Sequence, residues 1–301
     1  MFDMRKGEAL LAVIDSGSFE QAANLLHLTP SAISQRISSL ESECGSPLLI
    51  RAKPCRPTAL GQRFAQYLRR SRLLEQEWQL DLQADDALAG KQKFVSIAIA
   101  VNNDTLATWL LPAVGEFLLA QQIVLEILLD DQDHTFNLLT QGLALAGISS
   151  ASAPMRGCVA QPLGLMRYRM LATPAFAQSW FAQGLQRDCA RHAPLLVFDR
   201  KDGLQADFLQ QHLGLLPDSY PCHYLPASDA FFRALCMGLG YGLIPEAQYG
   251  SMLDDGKLLD LMPGKVVDVA LYWHSWRVQS EKLERLSEQV VRSARSMLRQ
   301  Q

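Results

Sequence analysis

The sequence predicts a multidomain α/β chain with a winged helix-turn-helix at its N-terminus, a linker helix after it, and a larger C-terminal half. Three observations carry this expectation. Short, strongly capped helices crowd the first 60 residues and lead into a basic, proline-stiffened loop. Apolar residues then recur in steps of three and four from Leu60 to Trp78. Beyond Phe94, strand-like and helix-like runs alternate to the end of the chain.

Composition sets outer limits. At 301 residues the chain is too long for one ordinary core, and 49% hydrophobic with 20% charged residues marks it as globular. No apolar run is long enough to span a bilayer; the richest, Leu106 to Ala120, contains Pro112 and Glu116. Asp3, Glu8 and Asp15 interrupt the apolar segment a signal peptide needs, so a cytoplasmic location and no membrane partner are expected. Six scattered cysteines (Cys44, Cys55, Cys158, Cys189, Cys222, Cys236) read as reduced packing residues. The net charge of −3 argues against nucleic acid, but its distribution argues for it. Eight basic residues stand between Arg36 and Arg72, against only Glu41 and Glu43.

Leu10, Leu11 and Ile14 place an amphipathic helix from Met4 to Ser16, ended by Gly17. Ser18 and Gln21 fit a capping box for a short second helix, Phe19 to Leu26, whose Ala22 and Ala23 let another helix cross closely. Thr29-Pro30 is a cap followed by proline at the first helical position, opening a third helix to about Ser42 with Ile33, Ile37 and Leu40 inward. Its outward face carries Ser31, Ser34, Gln35 and Ser38, short or amide side chains suited to base edges in a major groove. Arg36 flanks them and points to a phosphate. Leu48 to Ile50 then form a strand, and Arg51 to Pro57, with Arg51 and Arg56, a basic wing. Thr58 caps a further helix whose seam of Leu60, Phe64, Tyr67, Leu74 and Trp78 suits pairing of two chains, as palindromic operators require.

These residues resemble a known family. Phe19-Glu20-Gln21-Ala22-Ala23-Asn24-Leu25-Leu26, Thr29 to Ile37, Leu40-Glu41, Gly45 to Arg51, Arg56-Pro57-Thr58 and Gly61 are similar to the N-terminal signature of LysR-type transcriptional regulators. Leu110-Leu111-Pro112 and Gly238 to Pro245 continue the likeness. Asp104 to Pro112, Pro221-Cys222-His223 and Leu271-Tyr272-Trp273-His274 resemble the ArgP branch, also called LysG, which regulates export of arginine and lysine; Pro30 stands where that branch has glutamine. The resemblance implies a sequence-specific regulator of promoter DNA, controlling amino-acid export or metabolism genes. It implies homodimers or homotetramers, contact with RNA polymerase, no cofactor, and a small effector, L-lysine or L-arginine. Pro30 joins the DNA-contacting set.

From Phe94 the pattern changes. Strands are expected at Val95 to Ile99, Ile123 to Leu129 and Leu143 to Ile148, with helices at Leu106 to Leu119 and Thr135 to Gln141. A second alternation runs from Pro162 to Leu261, and a last strand (Val267 to Trp273) and helix (Ser280 to Leu298) return to the first sheet. This resembles the family's two-lobed, periplasmic-binding-protein-like effector domain. The expected boundaries are 1–60 for the winged helix-turn-helix, 58–90 for the dimerising linker and 91–301 for the effector-binding domain. Lobe one takes 91–162 and 266–301, lobe two 163–265.

Ligands of open sheets lie beyond the strand C-termini. That places Asn103, Thr105, Asp130, Asp131, Ser149, Asp199 and Asp229 at the crevice: Thr105 at a helix start for a carboxylate, the aspartates for an ammonium or guanidinium. Singly, each aspartate reads as a cap or surface charge; Asp104 reads as the cap of its helix, and Asp229 similarly.

Rival classes are weaker. Gly147-Ile148-Ser149-Ser150-Ala151 faintly matches a nucleophile elbow, but its last position is alanine and its histidine and acid have no recognisable setting. Asp130, Asp131, Asp133 and His134 lack the glycine and glutamate of an EF-hand loop, the six histidines include no zinc-spaced pair, and Gly238, Gly240 and Gly242 do not complete a dinucleotide fingerprint. No catalytic or metal site is therefore expected. The alternatives kept are a non-specific architectural DNA-binding protein and an α/β enzyme.

Overall fold

The computed structural model describes residues 3–84, 94–129, 138, 139, 141–155 and 157–300. The chain divides into two compact units: Met1–Ile99 with Gln122–Leu128 and Asn137–Leu145, and Ala100–Gln121 with Leu129–Phe136 and Ala146–Gln301.

In the first unit, helices α1 (Met4–Ser16), α2 (Phe19–Leu25) and α3 (Pro30–Cys44) form where their caps dictate. Asp3, Ser18 and Thr29 each accept a backbone N–H of the first turn, and Gly17 and Gly45 close α1 and α3 in the left-handed conformation. Ala9, Leu10, Val13, Ala22, Ile33, Ile37, Leu40 and Leu48 are buried together as one core. The small Ala22 and Ala23 face inward, as the crossing of α2 requires. Strands β1 (Leu49–Ile50) and β2 (Arg56–Pro57) pair antiparallel as the wing hairpin. Helix α4 (Ala59–Ala84) starts hard against β1: a Cβ on Gly61 would lie 1.9 Å from the Leu48 carbonyl oxygen, so only glycine fits there.

The expected seam on α4 divides in two. Leu60 and Phe64 pack on the core of the head, whereas Tyr67, Leu74 and Trp78 are 56%, 52% and 63% exposed. The first unit also holds most of strands β3 (Val95–Val101) and β4 (Ile123–Leu129).

The second unit is built on β5 (Ala146–Ser149), the long β6 (Cys158–Ala172), β9 (Gly242–Pro245), β10 (Leu259–Asp260) and β11 (Val266–Trp276). Strand β6 lies between β10 and β11 and also pairs β9, and β11 pairs β5; all these pairings are antiparallel. Strands β7 (Leu195–Val197) and β8 (Cys222–Tyr224) pair in parallel. The alternation of elements predicted such a layered α/β unit but not the antiparallel β6–β11 ladder, whose partners are about a hundred residues apart (Val266 opposite Arg169). The lobe boundary expected at residue 162 falls inside β6.

The helix expected at Leu106 begins earlier and is interrupted. A turn α5 (Asn103–Thr105) leads into a π-helical stretch, Leu106–Leu110, and then α6 (Leu111–Gln121). The helix expected at Thr135 to Gln141 lies largely outside the described residues. Later helices are α7 (Pro174–Trp180), α8 (Arg187–Ala190), α9 (Leu204–Leu213), α10 (Ser228–Cys236), α11 (Glu246–Tyr249) and α12 (Glu281–Met297), the last capped by Ser280.

Candidate functional site

The surface expected to face DNA is built on α3. Its buried face leaves Pro30, Ser31, Gln35 and Ser38 exposed, with Ser34 and Arg36 half-buried beside them. The Thr29 hydroxyl accepts from the Ala32 N–H at 3.2 Å and meets Ser31 Oγ at 3.0 Å, which fixes the helix start. Lys6 pins α3 to α1, donating to Ser39 Oγ at 2.8 Å and pairing with Glu43. Glu41 Oε1 accepts the Leu48 and Leu49 N–H groups at 2.8 and 3.2 Å, so α3 sets the wing's position directly.

Arg56 is exposed on the wing. Arg51 behaves differently. Its Nη2 donates to Ser38 Oγ at 3.3 Å and lies 3.5 Å from Glu41 Oε2, and its guanidinium stands 5.7 Å from the Phe19 ring centroid. The acceptor-rich end of α3 draws this arginine back, so it braces the recognition helix while remaining half-exposed.

The second site is a cavity of about 270 Å³ in the second unit, just below the roughly 300–1,000 Å³ usual for small-molecule sites. Among its lining side chains are three carboxylates, Asp104, Asp202 and Asp207, against one ammonium, Lys201. Asp104 is half-buried in α5. Its carboxylate accepts a hydrogen bond from the Tyr168 hydroxyl at 2.7 Å and another from the Ser228 hydroxyl. Ser228 opens α10, Tyr168 stands on β6, and Gln248 Nε2 donates to the Ser228 carbonyl at 3.2 Å. Desolvation raises the Asp104 carboxyl above the ordinary aspartate value, and the Ser228 and Tyr168 hydrogen bonds oppose it.

The residues expected at this crevice are only partly brought together. Asn103 lines the cavity. Thr105 is buried just behind that wall; its N–H donates to Asn102 Oδ1 at 3.0 Å and its hydroxyl has no hydrogen-bond partner among the described residues. Asn102, not Asp104, is therefore the cap of α5, which frees Asp104 for the cavity. Asp199 Oδ1 accepts the Lys201 and Asp202 N–H groups at 2.6 and 3.0 Å and is spent on that turn. Asp229 is exposed in the first turn of α10, where its charge suits the helix dipole. Asp130 and Asp131 lie outside the described residues.

Ser149 is a correction of another kind. It is buried at the end of β5, and its Oγ lies 3.1 Å from His274 Nε2 on β11. The histidine that a nucleophile elbow needs is thus present, though sequence spacing gave it no recognisable setting. Both residues are fully buried, His274 Nε2 also lies 2.8 Å from the Ala151 carbonyl oxygen, and Ala151 N–H donates to Ser149 Oγ at 3.2 Å. The pair ties a strand end and has no open face for a substrate.

Two family models match the chain, "Bacterial regulatory helix-turn-helix protein, lysR family" over residues 4–62 and "LysR substrate binding domain" over residues 95–295. The chain belongs to the LysR family. This regulator is 41% identical over 298 residues, 99% of each chain, to the HTH-type transcriptional regulator ArgP of Photobacterium profundum. Its fold is similar to the crystal structure of ArgP from Mycobacterium tuberculosis, at 35% identity, full coverage of both chains and a TM-score of 0.82. Full-length LysG from Corynebacterium glutamicum, solved with bound effector Arg, matches at 32% identity over 99% of this chain and 100% of that one, with a TM-score of 0.78. The protein is a DNA-binding transcriptional regulator with a small-molecule-binding domain, and not an enzyme. No described helix is long and apolar enough to cross a membrane.

Sequence reasoning missed the regulator's Asp104–Tyr168–Ser228 cluster. One signal was available: Asn102, Asn103 and Asp104 are three cap-forming residues in a row, and a helix uses one of them. Tyr168 carried a second: it alternates with Met166 and Met170 against Arg167 and Arg169, which puts it on the apolar face of its strand, where its hydroxyl needs a partner.

Proposed function

We propose that the effector of this regulator is a basic amino acid, L-arginine or L-lysine, held with its cationic end at Asp104, and that the genes it controls serve amino-acid export or metabolism. The observation that carries this is the excess of carboxylates on one small cavity, with Asp104 already gathering donors from β6 and α10. A guanidinium or ammonium supplies the same kind of donor with a full charge, and charge-assisted bonds are the stronger ones. Lys201 and the side chains of Asn102 and Asn103 are placed for the opposite end of a zwitterion. The likeness to LysG, solved with Arg, supports the same reading. Thr105, with its unpartnered hydroxyl behind that wall, is proposed to serve the carboxylate once the cavity adjusts to a ligand.

On the DNA side, Ser31, Ser34, Gln35 and Ser38, with Pro30 setting the helix start, are proposed to read base edges. Arg36 and Arg56 meet phosphates, and Arg51 holds α3 at the right angle. Tyr67, Leu74 and Trp78 supply a face for a second copy, giving the dimer that a palindromic site needs, and pairs of dimers form tetramers. Effector binding changes DNA placement to the extent that the ligand prefers one arrangement of the assembly, and polymerase contact follows from that placement.

Calorimetry on the full chain tests the effector. L-arginine or L-lysine binds, and L-citrulline, which keeps the shape of arginine without its charge, binds at least tenfold more weakly. Failure of both basic amino acids to bind at millimolar concentration overturns the proposal.

A further inference from the structure

Arg69, midway along α4, reaches in three directions within the first unit. Its Nη1 donates to the carbonyls of Gln141 and Gly142 at 3.2 and 3.0 Å, and its Nη2 pairs with the Asp15 carboxylate near the end of α1. An exposed ion pair by itself contributes little. Here the Arg69 side chain is only 15% exposed, and both edges of its planar fork are engaged.

The loop it holds is seated with no room to spare. Gly142 adopts φ 67°, and a Cβ there would lie 2.9 Å from Gln66 Cα and 2.4 Å from Gln66 Cγ. The absence of a side chain lets the loop backbone rest on α4. At the other end, the contacts continue beyond Asp15. The Gly17 carbonyl, directly after α1, accepts the Cys55 N–H of the wing loop at 2.8 Å. Polar contacts, joined through the backbone from Asp15 to Gly17, therefore lead from a loop of the effector-binding half, through the linker helix, to the end of α1 and the wing.

The apolar side chains around this path are not close-packed. A cavity of about 480 Å³ is lined by Leu11, Leu73, Leu128, Leu138, Leu143 and Leu145, with Asp15 and Arg69 on its wall. Where dispersion contacts across a gap are forfeited, a few polar bonds decide whether the elements stay together, and such contacts open at low free energy.

We infer that Arg69 is a positioning residue that couples the Gln141–Gly142 loop to the DNA-reading head, with Asp15 and the Gly17–Cys55 contact carrying the coupling to the wing. Arg69 sets where the wing sits for a given position of the loop.

Hydrogen–deuterium exchange on the full chain, with neither DNA nor effector present, tests this apart from the arginine reading. In Gly142→Ala the loop cannot lie on α4, and exchange of the non-proline wing amides from Leu49 to Arg56 rises roughly tenfold although no atom of the wing has changed. Arg69→Gln raises exchange in wing and loop together, and Asp15→Asn raises it in the wing alone. Arg69→Gln adds no bulk to the contact and carries the test if Gly142→Ala does not fold. Exchange that changes only in the substituted segment overturns the inference, as does a wing that keeps wild-type protection in Arg69→Gln.

Discussion

Replacing Asp104 by asparagine separates recognition from stability in this regulator. Asparagine keeps the size of aspartate, and the Tyr168 and Ser228 hydroxyls can rotate to accept from its amide as well as donate to its oxygen. What is lost is the charge. A hydrogen bond to a charged partner contributes about 1.5–3 kcal/mol. Asp104 is half-buried and already shared between two hydroxyls, so the lower part of that range applies, about 1.5–2 kcal/mol or roughly 10- to 30-fold in Kd for L-arginine. Stability moves the other way or not at all, because the variant no longer desolvates a carboxylate. The wild-type affinity is also pH-dependent. Desolvation holds the Asp104 pKa above its ordinary 3.8, the cation binds the ionised form, and affinity falls as pH drops through the raised value; in the variant this dependence disappears. Calorimetry from neutral to acid pH and thermal melts on the full chain measure both. An unchanged Kd for L-arginine, or a variant that melts well below wild type, would refute the argument.

Three further outcomes follow from the geometry. Gln35→Ala lowers affinity for the chain's own upstream fragment by about 1–3 kcal/mol and leaves random DNA untouched; equal losses on both in a mobility-shift assay remove Gln35 from base reading. Trp78→Glu puts a charge on the exposed stripe of α4, and sedimentation shifts toward monomer at micromolar chain; unaltered sedimentation places the dimer contact elsewhere. His274 is held below its ordinary 6.5 by burial, against the hydrogen bond its ring donates to the Ala151 carbonyl, so the unfolded chain binds more protons than the folded one between the lowered value and 6.5. The contribution of His274 is complete above 6.5 and is lost as pH falls through that window, so melting temperature declines toward pH 5 more steeply in wild type than in His274→Gln, and parallel declines count against it.

Much of the head was legible in the sequence because its determinants are local. Thr29-Pro30 sets the start of α3 through one hydroxyl and one missing N–H, and Ser18 does the same for α2. The three-and-four spacing of Ile33, Ile37 and Leu40 fixes which face remains for Ser31, Ser34, Gln35 and Ser38. The same spacing marked the stripe on α4, but periodicity cannot say what covers a face. Leu60 and Phe64 meet the core of their own head, whereas Tyr67, Leu74 and Trp78 are left exposed.

By itself the sequence determined the reading head, its wing and the alternating plan of the effector half, since caps, turns and apolar periods act over a few residues. Only the tertiary structure decided the composition of the cavity and the fate of its predicted neighbours. Asp104, Tyr168 and Ser228 come from a helix turn, a long strand and a second helix, and nothing local encodes their meeting. Ser149 was drawn to His274, Asp199 to its own turn, and Arg51 to α3, each because a nearer partner satisfied it first. A polar side chain announces a need for a partner, and the folded chain alone settles which partner is within reach.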